Sequence, residues 1–554
     1  MKTRWYKDCV FYQIYPRSFC DGNGDGIGDI RGIISKQDYL KDLGITAVWL
    51  SPVYVSPNRD NGYDVSDYKN IQPEFGTMED FKEMLDGFHK RGIKLIMDLV
   101  ANHTSDLNEW FVQSRSAKDD PYRDYYVWRK GRGKDGKLPP NNWTSRFTGP
   151  AWTYDEKTKE WYLHLFTPEQ PDLNWDNPKV RQEIADICNF WFDIGVDGFR
   201  CDVITYISKN KGLPDGKFHL LQRGDEHFII GENFHEYLKE ININSWSRYD
   251  SFVVGEAIGT TAEDCVHLIK ESNNELDSAI TFELMNVDTK LDFFKTKLDL
   301  VKFKKVINKW QNLGNDCFPT LYYENHDQPR SISRYDLSKG KYLQELAKML
   351  CVSLMFRRGT PYVYQGQEIG MTNHDFSVEE YKDVVSINVL KMLKQYHLLN
   401  KYTLRKLREK ARDNARTPMQ WDESEGAGFT KAKPWMIINP NHKTVNVKSQ
   451  LNDDNSVLSF YKKIISVRTN NKVISEGSFR LLKEKDKDLF VYERTLNEKG
   501  YLVICNFKPF DVKFKSNKDT DLANYKLLIS NYDSAPEVIQ NTVLKPYQCI
   551  VYQK

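Results

Sequence analysis

A chain of 554 residues exceeds what one simple core supports, which leaves three or four domain-sized units, or one large barrel with additions. Lys plus Arg (79) nearly balance Asp plus Glu (77), and the resulting net charge of +2 excludes a general electrostatic attraction to nucleic acid or an acidic membrane, so a neutral partner is expected. Nine scattered cysteines without a Cys-x-x-Cys pair exclude a disulfide framework and a cysteine zinc site; with no apolar signal core at the start and no stretch long enough to span a bilayer, a cytoplasmic location is expected.

The first predicted strand, 10–14, leads into Asp21-Gly22-Asn23-Gly24-Asp25-Gly26-Ile27-Gly28-Asp29. Oxygen-bearing side chains at alternate positions are the pattern by which a loop wraps a hard cation. Gly32 stands where a full EF-hand needs Glu, and an Asn/Gly turn without metal is the plain alternative. A helix then opens at Ser35 and Asp38, passes through Leu40 and Leu43, stops at Gly44 and runs into a strand at 46–50. The unit repeats. Thr77 with Asp80 forms a capping-box signature, Phe81, Met84, Leu85 and Phe88 recur at helical spacing, and Gly92 precedes a strand at 93–100. Asn177-Pro178 opens another helix, which Gly195 closes before a strand at 196–203. Further strands at 252–256, 278–282, 320–323 and 361–364 bring the count to eight, the number that closes an α/β barrel of parallel strands wrapped by helices.

The spacing is uneven. The polar, aromatic stretch from Asn102 to about Asp172 is too long for a plain loop and reads as an inserted subdomain overhanging the barrel mouth. After about Glu476 the pattern changes to short β-like runs separated by turn residues, a small antiparallel domain without candidate chemistry. The expected division is therefore barrel over 1–103 and 173–476, subdomain over 104–172, and C-terminal β domain over 477–554.

Carboxylates mark the strand ends: Asp98, Asp202, Glu256, and Asp327 just after the seventh strand. In a parallel barrel these ends converge on one mouth. A single such acid is most simply a surface residue or an ion-pair partner of Arg200. Four of them, with Arg200 two residues before Asp202 and His326 beside Asp327, favour a shared site. Two carboxyls in one pocket can divide labour as ionised nucleophile and protonated acid, and glycoside cleavage needs that pairing. A separation of roughly 5 Å would imply a covalent intermediate and retained configuration.

Four segments in order, Asp98-Leu99-Val100-Ala101-Asn102-His103, Gly198-Phe199-Arg200-Cys201-Asp202, Val254-Gly255-Glu256 and Asn325-His326-Asp327-Gln328-Pro329-Arg330, resemble the signature regions of the α-amylase family, glycoside hydrolase family 13. Gln170-Pro171-Asp172-Leu173-Asn174 is similar to the fifth region of its oligo-1,6-glucosidase subgroup, and Gly359-Thr360-Pro361-Tyr362-Val363-Tyr364-Gln365-Gly366 matches at the eighth strand. The resemblance implies a (β/α)8 TIM barrel with Asp202 as nucleophile, Glu256 as acid/base and Asp327 as a third carboxylate that holds sugar hydroxyls. By position it also implies that His103 and His326 bind the sugar, that Asp60 and Arg412 close the pocket behind the terminal glucose, and that Tyr63 stacks on its ring. Arg200 would keep Asp202 ionised. A closed rear wall admits only chain ends, so an exo-acting α-glucosidase is expected, on a small oligosaccharide, without an organic cofactor and as a monomer.

Val203, after the nucleophile, goes in the subgroup with α-1,6 bonds, although a β-branched residue there could simply pack. The cation loop matches the subgroup's site, implying a structural Ca²⁺ held by Asp21, Asn23, Asp25, the Ile27 carbonyl and Asp29. Two residues depart from the pattern. Cys201, beside the nucleophile, is expected to pack, with oxidant sensitivity of activity as the alternative, and Glu324, expected on the leaving-group side, would disfavour a phosphorylated sugar. The stretch 208–237 and Ala257-Ile258-Gly259 are expected to select the leaving group. Cleavage of sucrose or α-1,4 bonds, sucrose isomerisation and trehalose-6-phosphate hydrolysis stay open; a catalytically silent relative serving as an interaction module is distant, because all three acids are present.

Overall fold

The computed structural model describes residues 3–219, 222–290, 294–515, 524–537 and 541–554. Eight strands form the central sheet: β1 (Phe11–Ile14), β2 (Ala47–Leu50), β3 (Lys94–Val100), β4 (Gly198–Asp202), β5 (Phe252–Ala257), β6 (Ser278–Thr281), β7 (Thr320–Leu321) and β8 (Thr360–Tyr364). Sequence neighbours pair in parallel from β1 to β6 and from β7 to β8, and β8 returns to pair with β1, Phe11 opposite Tyr362. The seam between β6 and β7 is laced by side chains. Ser278 Oγ donates to the Phe318 carbonyl (2.6 Å), Thr320 Oγ1 to Ala279 (2.6 Å) and Tyr322 Oη to Thr281 (2.7 Å). These bonds explain why β7 stops at Leu321, earlier than its apolar run suggests: Tyr322 leaves the ladder to bond its neighbour.

Each strand is followed by a helix: α1 (Gln37–Leu43), α2 (Met78–Lys90), α3 (Pro178–Ile194), α4 (Phe234–Asn244), α5 (Ala262–Ile269), α6 (Leu300–Gln311), α7 (Leu343–Met355) and α8 (Val457–Arg468). The cap expected at Ser35 and Asp38 is not formed, since Ser35 ends a short helix Ile30–Ile34 and α1 starts from Lys36 without a side-chain cap; the one expected at α2 is formed. Thr77 and Asp80 satisfy each other's backbone N–H at α2, and Gly195 ends α3 in the left-handed region at φ 116°, where a Cβ would be strained. α3 buries Val180, Ile184, Ile187, Trp191 and Phe192 against the barrel, at about 1.5–3 kcal/mol for a fully buried aliphatic or Phe side chain. Burial from both sides makes β3, β4 and β5 almost continuously buried, as parallel strands under helices must be. Gly198 opens β4 because a Cβ there would sit 2.0 Å from the Phe252 carbonyl oxygen.

Between β3 and α3, an antiparallel sheet of Trp128–Arg129, Glu160–Leu163 and Trp152–Asp155, in that spatial order with Glu160–Leu163 central, stands over the mouth. Its His103–Asp172 bridge ties its two ends together. Past α8, strands β9 (Ser478–Leu482), β10 (Leu489–Leu496), β11 (Lys499–Asn506), β12 (Lys526–Ser530) and β13 (Cys549–Gln553) form an antiparallel sheet in the order β9-β10-β11-β13-β12. Buried Arg494 donates to the Phe356 carbonyl (2.8 Å) and to the carbonyls of Gly477 and Ser478, fastening this sheet to the end of α7. Among the described residues no helix is long and apolar enough to cross a membrane.

Candidate active site

Arg200 and Asp202 stand two apart on β4, so both project into the barrel, and the register sets Arg200 beside Asp98 on β3. One guanidinium then serves three carboxyls. Its Nη1 lies 2.6 Å from Asp98 Oδ1 and 2.5 Å from Asp202 Oδ1, and its Nη2 lies 2.7 Å from Glu256 Oε1 on β5. Trp49 Nε1 holds the other Asp98 oxygen (2.8 Å). Among the described residues Asp202 Oδ2 accepts no hydrogen bond, whereas Glu256 Oε2 accepts the Val203 N–H (3.0 Å).

That amide is aimed by strain. Val203 has φ 36° and ψ 39°, a left-handed backbone that a β-branched residue adopts at a cost of about 1–3 kcal/mol. The strain turns the chain sharply after Asp202, points the N–H at Glu256 and sets the Val203 side chain on the cavity wall. Val203 therefore does more than pack.

On the opposite wall, the loop after β7 delivers Asp327. Its Oδ1 lies 3.1 Å from Arg412 Nη1 and 2.9 Å from Arg416 Nη2, and its Oδ2 is 3.2 Å from His326 Nε2. Arg412 Nη2 also reaches Asp383 (2.8 Å) and, more loosely, Asp60 (3.5 Å), so the rear-wall pair does meet. Tyr63 lies beside His326, ring centres 5.4 Å apart and planes 7° apart, with its hydroxyl 2.8 Å from His326 Nε2, so the two rings meet at their edges. The edge contact with His326 leaves the Tyr63 ring face uncovered by it, and the residue borders the cavity. Gln13 holds the other nitrogen of His326 (2.7 Å), and Gln170 bridges Asp60 (3.1 Å) and His103 (3.2 Å).

The enclosed space is about 230 Å³, bordered by Asp60, Tyr63, His103, Asp202, Val203, Glu256, Asp327 and Arg412 together with Arg146, Phe147, Phe166, Gln222, Ile258, Phe282 and Val385. Several residues here were not singled out in the sequence. Phe147 and Phe166 come from the overhanging sheet region, whose strands are too short to show a period; Val385 stands in the first turn of a helix, Val384–Gln395, that follows β8, and Phe282 directly follows β6. Arg416 did carry a signal, since it stands four residues after Arg412 and so on the same face of a helical turn. Ile258 and Gln222 come from the segments expected to select the leaving group, of which residues 220 and 221 lie outside the described set.

Burial pushes Asp202 up to about 7, against the pull of Arg200 and with the Asp98 and Asp327 charges adding to it. Arg200 pulls Asp202 toward the ionised form, the direction expected of it, but one guanidinium divided among three carboxyls does not offset their desolvation. Burial likewise raises Glu256 to about 7, opposed by Arg200, and Asp98 to about 6. For Asp327 burial also acts upward, but His326, Arg412 and Arg416 outweigh it and hold the carboxyl below its usual range. Burial keeps His103 (about 4) and His326 (about 3) neutral near pH 7, suited to hydrogen bonding.

Of the two departures from the family pattern, Cys201 packs as expected and Glu324 reads differently in three dimensions. Cys201 is fully buried and its thiol is raised well above the usual range by burial, so it is not a reactive thiolate. Glu324 does not border the cavity: it is buried, accepting from Ser331 Oγ (2.9 Å) and 3.6 Å from Arg330, and so places no charge beside a leaving group.

In the loop after β1, Asp21 accepts from the amides of Asn23 (3.1 Å), Gly24 (2.6 Å) and Gly26 (2.9 Å) and from Thr430 Oγ1 (2.5 Å). Asp25 accepts from the Ile27 amide (2.8 Å), and Asp29 from those of Gly22 (3.0 Å), Asn23 (3.0 Å) and Gly32 (2.6 Å). The loop offers oxygen ligands alone, the chemistry a hard cation takes, while in this structure its carboxylates accept from the loop's own amides.

The family model described as alpha amylase, catalytic domain, matches residues 13–477. An oligo-1,6-glucosidase of Parageobacillus thermoglucosidasius is 50% identical over 100% of this chain and 99% of its own length. The crystal structure of the trehalose-6-phosphate hydrolase of Bacillus licheniformis superposes with a TM-score of 0.94 at 42% identity over 99% of both chains. That of the trehalulose synthase of Pseudomonas mesoacidophila MX-45 gives 0.95 at 39% over 100% of both. The shared barrel, the acids gathered at its mouth and a match running the length of the catalytic region lead to one assignment: this chain belongs to the alpha-amylase family of glycoside hydrolases.

Proposed function

We propose that the protein is a retaining, exo-acting α-glucosidase that removes terminal glucose from α-1,6-linked isomalto-oligosaccharides. The carrying observation is the cavity of about 230 Å³, sized for one sugar ring, in which Asp202, Glu256 and Asp327 face one space and Arg412 with Asp60 stands across the rear. The oligo-1,6-glucosidase identity of the 50%-identical relative supports the linkage, as does Val203 on the cavity wall.

In this reading Glu256 protonates the glycosidic oxygen while Asp202, through its unengaged Oδ2, attacks the anomeric carbon; Glu256 then takes a proton from water as the glucosyl–enzyme ester is cleaved. To donate, Glu256 must exchange Arg200 or the Val203 amide for the substrate oxygen. Asp327, held ionised, binds sugar hydroxyls and stabilises the oxocarbenium-like transition state, with His103 and His326 as neutral partners.

Glucose release from isomaltose, maltose, sucrose, trehalose and trehalose 6-phosphate tests the assignment; isomaltose should be fastest, and Val203→Thr should move the isomaltose-to-maltose ratio toward maltose by up to about tenfold. Faster cleavage of another sugar by the unaltered protein would overturn the linkage assignment. The Asp21, Asn23, Asp25, Ile27 carbonyl and Asp29 loop is proposed to hold a structural Ca²⁺. Chelation is then expected to lower Tm while leaving the rate per folded molecule unchanged; an unmoved Tm would reject it.

A further inference from the structure

Away from the mouth, three residues meet that the sugar chemistry does not use. His235 lies in the first turn of α4, His267 in the last turn of α5, and Glu275 in the segment leading to β6. α4 turns His235, Lys239 and Asn242 toward that segment, and Asn242 Nδ2 donates to the Glu275 carbonyl (3.3 Å). The carboxylate of Glu275 is wholly buried, whereas both imidazoles are partly open to solvent. His235 Nδ1 is 2.8 Å from Glu275 Oε2. Glu275 Oε1 lies 3.4 Å from His267 Nε2 and 3.6 Å from Lys239 Nζ, yet no hydrogen bond reaches it. A buried anionic oxygen with unfilled acceptor capacity is costly, and in this setting it is aimed between two imidazoles whose ring centres are 4.1 Å apart.

We propose that His235, His267 and Glu275 bind a divalent transition-metal ion such as Zn²⁺. Their ligand atoms all lie within 4.8 Å of one another, and among the described residues no other group of three or more His, Cys, Asp or Glu side chains does so. Metal–ligand bonds of ~2.0–2.2 Å at tetrahedral angles require ligand atoms about 3.3–3.5 Å apart; the His267–Glu275 separation of 3.4 Å already meets this, and the hydrogen-bonded His235–Glu275 pair at 2.8 Å would open slightly. Two imidazoles and one carboxylate select Zn²⁺, Co²⁺, Ni²⁺ or Cu²⁺ over Ca²⁺ and Mg²⁺. The fourth position opens toward solvent for a water. Lys239, about half exposed, can swing its ammonium outward as the ion enters. The ion would clamp α4, which follows the Asp202 strand, to α5, which follows the Glu256 strand. It touches no substrate, so it stabilises without changing the chemistry.

The test uses the full chain with Ca²⁺ in excess to keep the Asp21–Asp29 loop out of the measurement. Titration with Co²⁺ should give the visible bands of a tetrahedral nitrogen–oxygen site, saturating at one ion per chain, and Zn²⁺ should displace them and raise Tm. His235→Gln and His267→Gln, both at partly exposed positions, should each weaken binding at least ~tenfold and abolish the Zn²⁺ rise in Tm, with metal-free activity unchanged. Glu275→Gln should do the same, and the two His variants carry the test if it does not fold. Absence of saturable Co²⁺ binding, or equal affinity in the His variants, would overturn the proposal and leave the trio as an ion-paired His–Glu cluster.

Discussion

The two walls of the sugar cavity are built from the same residue types, the rear one more open at Asp327 and Arg412, and they end in opposite charge states. On the β4–β5 side Arg200 is shared by Asp98, Asp202 and Glu256, and burial raises all three carboxyls, Asp202 and Glu256 to about 7. On the opposite side Arg412 and Arg416 together grip Asp327 and Asp383, and both carboxyls fall below their usual range despite burial. Asp60 on that side, 3.5 Å from Arg412, is too loosely held to follow them and rises to about 7. Guanidinium supply, one for three against two gripping Asp327 and Asp383 with Asp60 at the margin, together with His326 beside Asp327, separates the acids that can carry a proton near neutrality from those that stay anionic. A pocket that must both donate a proton and stabilise a cationic transition state needs both conditions within one sugar's width.

The largest expected effects remove an acid from either wall. Asp202→Asn, Glu256→Gln and Asp327→Asn should each lower kcat about 10³-fold or more. Stability separates the walls. Asp202→Asn relieves crowding of negative charge around one guanidinium, so Tm should hold or rise. Asp327→Asn leaves two buried guanidiniums short of a partner and should cost about 3–5 kcal/mol. With a nitrophenyl glucoside, whose leaving group needs no proton, Glu256→Gln should still show a burst of nitrophenol and Asp202→Asn none. Near-normal turnover in Asp202→Asn or Glu256→Gln would remove the role given to that residue, and equal Tm changes at the two walls would break the comparison.

A smaller effect is expected at the rear wall. Arg412→Ala takes one of the two cations from Asp327 and opens the space behind the terminal sugar, so KM for isomaltose should rise about 10–100-fold while Arg416 still anchors Asp327 and Asp383. An unchanged KM would mean that Arg412 neither closes the pocket nor positions Asp327.

Much of this arrangement was legible in the chain. Capping residues and glycine stops punctuate the helix–strand units so regularly that all eight barrel strands could be placed, with errors of a residue or two where Tyr322 leaves its ladder early. The acids were legible because a strand-end carboxylate in a parallel barrel has only one mouth to face. The left-handed turn at Val203 was hidden, because a β-branched residue in an apolar run gives every sign of extended backbone and only the surrounding packing forces it otherwise. The direction of Glu324 was equally hidden: its motif places it by sequence beside Asn325, His326 and Asp327, yet the Ser331 hydroxyl and Arg330 draw it away from the sugar. His235, His267 and Glu275 belong to no common motif, so only the packing of α4 against the segment before β6 brings them together.

The smallest predicted change is the sharpest probe of how Arg200 is shared. The kcat/KM profile should be bell-shaped with its maximum near neutrality. As pH falls Asp202 takes up a proton and can no longer attack, and as pH rises Glu256 loses the proton it must donate. The two groups touch one guanidinium, so the limbs report apparent values of the pair. Asp98 contributes a negative charge that raises Asp202 and occupies the same Nη1. In Asp98→Asn that charge is gone and Arg200 bears more fully on Asp202, so its pKa must drop. The acid limb should then move to lower pH by about one unit, with the alkaline limb moving less. Should the acid limb stay in place, the charge state of Asp202 would have to be set by burial alone, and the count of guanidiniums per carboxyl would no longer explain the difference between the walls.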